Sequence, residues 1–536
     1  MELVVISSVG RGRAIRVCQR GLRQCRIFRL RSGLLVGASI YLCLVFLGDR
    51  ALGQPPTSPT PAQSSLSAQK SLLGRNAPAA HQTVARKDST RVAVAQPPPL
   101  PAQPAVVVAP ESTLPPAKRF KVRDEFGNCV VARFHGEYGG NTALVLPDGQ
   151  LGTPNLLIPT DEPFQPLTAD QLQNQLRDGP FATYDLLKTN HYLIFYKSTP
   201  TFAQESGRLL EDLYDGLVEA FLRNGFPVHE TEFPLVAVIF ADDKDFRAHK
   251  QVDPQVQAYY EFFTNRIFFY EKSDRDKFEP KLSTILKPQT VTHEGAHQIL
   301  SNIGLQPRPS AWPLWLVEGL AEYCATTVST KKGIAWSGMG AINSLHMATL
   351  RELDDPVSNQ LKAARIQPTK VARQRTMTQT EPLMLKTDLT PTDYAEAWAL
   401  THYLARKRGP EFVKYLKAMS QVSPLRPRTP EENLAELRQF FEDDPAKLDK
   451  KLDEYIRKLS QKKGYDPLPF YTVIFVQPLA NGMVRRAARV SQSPQIIQQW
   501  VQEMTAPNGA EPNWEAVPRP TRARAILAAE EWMSGS

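Results

Sequence analysis

The spacing of apolar positions changes along this chain of 536 residues. Short apolar or alternating runs, separated by turns rich in glycine and asparagine, predict strands in residues 118–165. Leucines at helical spacing predict a helix over Phe202–Phe226. Continuous apolar runs of strand length predict further strands at His191–Tyr196, Leu235–Phe240 and Arg266–Tyr270. Strands therefore dominate the first part of the folded chain.

Helical spacing takes over after the last of these strands. It predicts helices at about 288–303, 314–326, 391–408, 411–420 and 430–460. Because strands come first and helices follow, we expect an α+β fold. Its main domain would have a mixed sheet in the N-terminal half and a helical C-terminal half, with a small β module upstream. Near the end of the chain, the pattern predicts one strand at Tyr471–Val476 and one helix near 493–504.

Composition divides the chain into five parts. Of its 45 prolines, 13 lie in residues 54–117, among few large apolar side chains, which predicts a disordered linker. The predicted parts are a signal peptide or signal anchor (1–53), the Pro-rich linker (54–117), the small β module (118–165), the main domain (166–463) and a C-terminal extension of unknown role (464–536).

The positive charge of the chain is concentrated at its start. Residues 1–53 hold nine arginines and two acidic residues, so +7 of the net +9 lies there and the rest of the chain carries +2. A nearly neutral body argues against nucleic acid as a partner. The five cysteines exclude a disulfide framework, because only Cys129 and Cys324 lie outside this leader.

The leader also contains the chain's one long apolar run, residues 33–48. Sixteen residues are short for a membrane span of about 20 residues and suit a signal-peptide core. The small-x-small sequence Ala51-Leu52-Gly53 follows as a cleavage site. The alternative is an uncleaved signal anchor, with membrane attachment through residues 33–48. Either interpretation predicts export to the periplasm, the cell envelope or the medium.

The sharpest chemical motif is His293-Glu294-Gly295-Ala296-His297. On a helix, positions i and i+4 share a face, so both imidazoles can reach one metal ion. Glu294 then lies beside the ion, where it can take a proton from bound water. The alternative is two histidines on a solvated helix face. The histidines outside the motif, among them His346, show no ligand spacing, and we expect them to be structural or exposed.

A second motif supplies the missing ligand. Catalytic zinc takes three protein ligands and keeps an open position. Glu318 and Glu322 lie four residues apart in an otherwise apolar predicted helix, 21 residues after His297. Two carboxylates on one face of such a helix need partners, and a metal ion and a histidine N–H would provide them. The alternative is a pair of ordinary surface acids.

These motifs resemble those of the gluzincin clan of zinc metallopeptidases, the thermolysin-like group. The resemblance implies that His293, His297 and Glu318 bind Zn²⁺, that Glu294 is the catalytic base and that Glu322 orients the first histidine. Further segments resemble a bacterial family of exported peptidase-MA-like domains whose function is largely uncharacterised. They lie between about residues 185 and 420, at 191–198, 202–221, 235–246, 259–270 and 394–409.

The resemblance implies two more features of the site. An edge strand of the sheet would line the substrate cleft, and Arg266–Tyr270 is the predicted edge, with a plain core strand as the alternative. A hydrogen-bond donor would stabilise the oxyanion of the transition state. Tyr394 is our prediction for this donor, with His402 and Tyr260 as alternatives, and each of these residues also suits a packed role.

The sequence thus predicts an exported zinc metallopeptidase acting on peptide or protein substrates. Metal-activated water would attack the peptide bond, with Glu294 as general base. One alternative is a zinc-binding or cell-envelope interaction module that no longer cleaves. Another is a structural envelope protein without a metal.

Overall fold

The computed structural model describes residues 118–534, apart from gaps at 125–126, 139–140, 155, 254–255, 274–275, 277–279, 332, 355–379, 442–443, 462–466 and 508. The predicted leader and linker lie outside the described residues. Helices and mixed sheets follow one another as expected and confirm the α+β class. Within the described residues, no helix combines the length and the apolarity that crossing a membrane requires.

The first sheet is antiparallel, with five strands in the order β4-β3-β2-β1-β5. Its core is small and consists of Val122, Ala132 and Leu144, with partly buried apolar side chains around them. A core of this size is marginal by itself. The strands are β1 Arg119–Arg123, β2 Cys129–Tyr138, β3 Asn141–Val145, β4 Leu151–Gly152 and β5 Ile158–Pro159.

The second sheet is mixed, in the order β6-β7-β8-β10-β9. Strands β7, β8 and β10 are parallel, and the two edge strands run antiparallel to their neighbours. Both faces of the central strands are buried in separate apolar clusters, which is why these strands read as continuous apolar runs. The elements of this region are α1 Ala169–Arg177, β6 Asp185–Lys188, β7 Tyr192–Tyr196, α2 Pro200–Arg223, β8 Leu235–Asp242, α3 Asp243–His249, β9 Ala258–Glu261 and β10 Arg266–Lys272.

The prediction that Arg266–Tyr270 forms the edge of the sheet was wrong. Arg266–Tyr270 belongs to β10, which lies between β8 and β9. The residues before the turn at Thr264 and Asn265 form a strand of their own, and Asn265 takes the left-handed conformation (φ 60°) that a tight hairpin turn favours. Strand β9 is therefore the edge, and β10 is the core strand of the alternative interpretation.

Helices form most of the remaining main domain. The predicted helix at 288–303 begins earlier, at Pro280, so Pro288 lies inside it and not before it. The predicted helix at 430–460 is two helices, because Asp444 caps a new helix whose first residue is Pro445. The elements are α4 Pro280–Asn302, α5 Leu314–Ala325, β11 Thr327–Thr330, β12 Gly333–Trp336, α6 Ser344–Asp354, α7 Thr380–Met384, α8 Pro391–Lys407, α9 Gly409–Ser420, α10 Pro430–Phe441 and α11 Pro445–Leu459.

The end of the chain contains more structure than the sequence pattern predicted. Three antiparallel strands in the order β14-β13-β15 carry two helices, and we name residues 470–534 the C-terminal module. Its first strand and first helix were predicted, and the other three elements were not. They are β13 Phe470–Pro478, β14 Val484–Ser491, α12 Pro494–Met504, β15 Asn513–Arg519 and α13 Arg522–Ser534.

Candidate metal centre

Helix α4 places two imidazoles side by side in the protein interior. The Nε2 atoms of His293 and His297 are 3.0 Å apart, and the two side chains are 6% and 4% exposed. The helix is buried on its other faces too, since Ala296, Ile299 and Leu300 have no exposed surface. The alternative of two histidines on a solvated face is therefore excluded.

Helix α5 brings a carboxylate to the same point. Glu318 is fully buried, and its Oε2 lies 3.2 Å from His293 Nε2 and 3.4 Å from His297 Nε2. Each of the three residues offers one ligand atom, and these atoms lie within 4.8 Å of one another. The cluster predicted from the two motifs is thus formed, and it could hold a metal ion.

Close packing behind α5 fixes the position of this carboxylate. Gly319 follows Glu318 and lies against α8, where an added Cβ would come 2.5 Å from the carbonyl oxygen of Ala397 and 2.4 Å from Thr401 Oγ1. No side chain larger than hydrogen fits that space without a shift of the backbone. The glycine therefore lets α5 approach α8 closely while its neighbour points toward the histidines.

The polar atoms of the cluster fit a cation. Glu318 Oε1 is buried and has no hydrogen-bond partner among the described residues, and the two Nε2 atoms face each other. Burial alone would raise the pKa of Glu318, but His297 and His293 lower it below its ordinary value. A buried carboxylate with an unmet oxygen is costly, and a cation held by all three residues supplies the missing partner.

Glu322, one turn along α5, contacts the far side of the first histidine. Its Oε1 lies 3.2 Å from His293 Nδ1, an ion-pair contact whose alignment falls short of a hydrogen bond. Burial opposes ionisation here, but His346 and His293 hold the pKa of Glu322 well below its usual range. An ionised carboxylate only accepts hydrogen bonds, so it favours a proton on Nδ1 and leaves Nε2 of a neutral His293 free to bind a metal.

Glu294 lies beside the cluster without joining it. Its Oε2 accepts a hydrogen bond of 2.7 Å from the backbone N–H of Tyr260 on the edge strand β9, and the residue is 2% exposed. Burial raises the pKa of Glu294, against the opposing effect of His293 and His297. The carboxylate is therefore held at the edge strand next to the cluster.

The three predicted donors have different surroundings. The ring centroid of Tyr394 lies 6.2 Å from that of His293, and burial, together with Glu318 and Glu294, raises the pKa of Tyr394 well above its ordinary value. The phenol of Tyr260 donates to Asn265 Oδ1 at 2.9 Å. His402 Nδ1 lies 2.8 Å from the hydroxyl of Tyr455. Tyr260 lines a small cavity beside His297, whereas Tyr394 lines a larger cavity beside His293.

That cavity has a volume of about 190 Å³ and is bounded by His293, Glu294, Glu322 and Tyr394. Ala258 of β9 lines it as well. Two glutamines of the C-terminal module complete its wall, Gln495 and Gln498 of α12. No local spacing relates these glutamines to the two motifs, so the sequence pattern predicts no role for them.

His346 is the functional neighbour that sequence reasoning missed. It is 1% exposed, and its Nε2 lies 2.8 Å from Glu322 Oε2. The expectation of a structural or exposed position is met by a structural one, because the partner of this buried histidine is the carboxylate behind His293. The separation of 24 positions between the two residues leaves no local signal in the sequence.

Comparison with known families adds one match. A family model described as "Protein of unknown function (DUF1570)" matches residues 287–426, roughly a quarter of the chain. The matched segment begins within α4, includes both histidines, Glu294, Glu318 and Glu322, and ends after α9. No curated protein matches the chain.

Proposed function

We propose that the protein is an exported zinc metallopeptidase of gluzincin type, which hydrolyses peptide bonds in peptide or protein substrates. One observation carries the proposal. Two histidines and one glutamate from successive helices converge on a common point, and a second glutamate lies beside that point without joining it. The resemblance of both motifs to the gluzincin clan supports the same function.

The donor set supports zinc. Two imidazoles and one carboxylate are a ligand set of catalytic zinc, which keeps its fourth position for water or substrate. Zinc bound at such a site lowers the pKa of water and polarises a carbonyl. His293, His297 and Glu318 would hold the ion, and Glu322 would keep His293 in the ligating tautomer.

Glu294 is the residue that would move the proton. Its carboxylate adjoins the cluster, and the backbone N–H of Tyr260 fixes one of its oxygens. Burial raises its pKa, which suits a group that accepts a proton from the attacking water and returns it to the leaving amine. Tyr394 would donate to the developing oxyanion, because its raised pKa keeps the phenol protonated.

A substrate would bind along the edge strand. Strand β9 is the last strand of the mixed sheet on the side next to α4, and Ala258 lines the cavity that contains Glu294. An extended peptide adds to such an edge through backbone hydrogen bonds. The role that we expected of β10 thus passes to β9.

The deciding experiment combines zinc analysis with unbiased peptide-cleavage profiling of the wild type and Glu294→Gln. We expect about one equivalent of zinc in both proteins and a loss of cleavage of about 10²–10⁴-fold in the variant, the usual contribution of general acid–base catalysis. Substantial cleavage by the variant would reject Glu294 as the base. Zinc without cleavage in the wild type would favour a zinc-binding module, an alternative consistent with the bond that already occupies Glu294 Oε2.

A further inference from the structure

A chain of buried polar contacts continues behind the first metal ligand. Glu322 bridges His293 and His346, with contacts of 3.2 Å to the first and 2.8 Å to the second. His346 lies on α6 and is 1% exposed. The carboxylate oxygen accepts in this 2.8 Å contact, so the Nε2 of His346 carries a proton and donates it. Nδ1, on the other side of the ring, faces the C-terminal module.

Gln495 of α12 contacts that other nitrogen. Its Nε2 lies 3.4 Å from His346 Nδ1, and its Oε1 accepts a hydrogen bond of 2.8 Å from Thr349 on α6. Ser493 caps α12 by accepting from the N–H of Ile496 at 3.0 Å, which fixes the turn that carries Gln495. The amide is therefore held from both sides against α6.

The module is attached to α6 next to this contact. Glu352, which is 4% exposed, accepts hydrogen bonds from Ser491 at 2.6 Å and from Arg489 at 3.2 Å. A buried charged group with several partners of good geometry is an anchor of defined orientation. It holds the start of α12 at the end of α6, six residues from His346.

We propose that the C-terminal module is an integral part of the metal centre. Gln495 orients His346, His346 orients Glu322, and Glu322 holds the first zinc ligand, so His346 and Gln495 are positioning residues. This inference rests on the proposed zinc site but not on peptide hydrolysis. The family match ends at residue 426, so the chain supplies this support from outside the matched segment.

A structural role alone would not couple these residues to the metal. Without the donor at His346, the buried carboxylate of Glu322 loses its shortest contact to another side chain and can turn away from His293. The imidazole would then lose the group that fixes its tautomer and ring plane. Metal affinity and ligand geometry should therefore change even in a variant that folds normally.

The test measures metal binding by the full chain. Zn²⁺ affinity is determined by competition with a chromophoric chelator, and the visible spectrum of the Co²⁺-loaded protein reports the ligand geometry. We expect His346→Leu to weaken Zn²⁺ binding about tenfold, the lower end of the effect of losing a ligand's own partner, because His346 acts on His293 through Glu322, and to shift the Co²⁺ bands. His346→Gln retains a donor toward Glu322 and should restore most of the affinity. Gln495→Leu should weaken it less, by about threefold.

The matched control is Gln499→Leu, which changes the same residue type on the same helix. Gln499 bonds Glu503 at 3.0 Å and does not touch the chain of contacts.

Circular dichroism and the thermal midpoint of each metal-free protein show whether it folds. Wild-type affinity and Co²⁺ bands in folded His346→Leu would overturn the inference. If that variant does not fold, equal affinities of Gln495→Leu and Gln499→Leu would overturn it instead. Absence of Zn²⁺ binding in the wild type would overturn the proposed function and the inference together.

Discussion

Two buried carboxylates of the molecule differ in how completely their oxygens are paired. At the junction of α6 with the C-terminal module, both oxygens of Glu352 accept hydrogen bonds, from Arg489 and Ser491. At the junction of α4 with α5, Glu318 is equally buried, yet its Oε1 has no partner among the described residues. Folded proteins pair most of their buried polar groups, so the paired carboxylate of Glu352 suits a supporting role and the unmet oxygen of Glu318 suits a place for a ligand.

Glu318→Ala and Glu352→Ala test this comparison most severely. We expect Glu318→Ala to lower Zn²⁺ affinity by more than about 100-fold, beyond the loss caused by removing an outer partner, because a ligand itself is deleted. We expect Glu352→Ala to lower the free energy of unfolding by about 1–3 kcal/mol, because Arg489 and Ser491 lose their acceptor. Chelator competition and urea unfolding of the metal-free proteins measure the two effects.

Each variant should have the smaller effect on the property that the other variant changes most. Glu318→Ala removes a buried carboxylate with an unmet oxygen, which offsets part of the loss of its contacts to the two histidines, so the metal-free protein should lose less stability than Glu352→Ala does. Glu352→Ala should reduce Zn²⁺ affinity less than Glu318→Ala does. Equal effects of both variants on affinity and on stability would abolish the distinction between the two regions.

The sequence could predict the residues of the site that are related by helix spacing, but not those that meet only through the fold. The two histidines and Glu294 follow from helix geometry, since four residues make about one turn. Glu318 followed from the unusual placement of acids in an apolar helix 21 residues later. His346 and Gln495 could not be found, because their contact spans 149 residues and no local period relates them.

The fold shows the same limit. Parallel strands buried on both faces were visible as apolar runs, and strong helices such as α2 and α8 were predicted nearly to their ends. Which strand becomes the edge depends on pairing between strands, and the sequence pattern of β10 is compatible with either position. Strands β14 and β15 alternate only weakly, so their apolar pattern alone does not identify them.

Proton competition sharpens the comparison, because an unpaired ligand cluster attracts protons when it holds no metal. Burial lowers the pKa of His293, but Glu322 and Glu318 outweigh it and raise that pKa well above the ordinary value of 6.5. Metal-free His293 therefore keeps its proton to a higher pH than a free imidazole does, and Zn²⁺ must displace that proton. Apparent affinity should rise with pH, by up to about tenfold per unit for each proton released.

The predicted rise of Zn²⁺ affinity with pH can be checked in two ways. Protonated His293 stabilises the metal-free fold fully below about pH 6.5, and this contribution is lost as the pH rises through its folded pKa. Zn²⁺ affinity measured between about pH 6 and pH 8, corrected for protonation of the chelator, should show the rise. Glu322→Gln removes a principal cause of the raised pKa, so its affinity should depend less on pH. The same slope in the wild type and in this variant would contradict the assignment.

The smallest expected effect concerns Gln498, which would give α12 a second role. Gln498 lies three residues after Gln495 and lines the cavity with Glu294 and Tyr394. Its side chain makes no hydrogen bond to the described residues. A glutamine with unused donors and acceptor at the cavity wall can bind a polar group of a substrate. Gln498→Leu should leave Zn²⁺ affinity within about twofold of the wild type, because Gln498 does not contact Glu322 or His346, and it should raise KM for a cleaved peptide by about threefold to tenfold. Gln499→Leu is again the control. A changed KM with unchanged Zn²⁺ affinity would show that α12 contributes to substrate binding through Gln498 independently of its support of the metal ligands. A lower Zn²⁺ affinity in Gln498→Leu would contradict this separation.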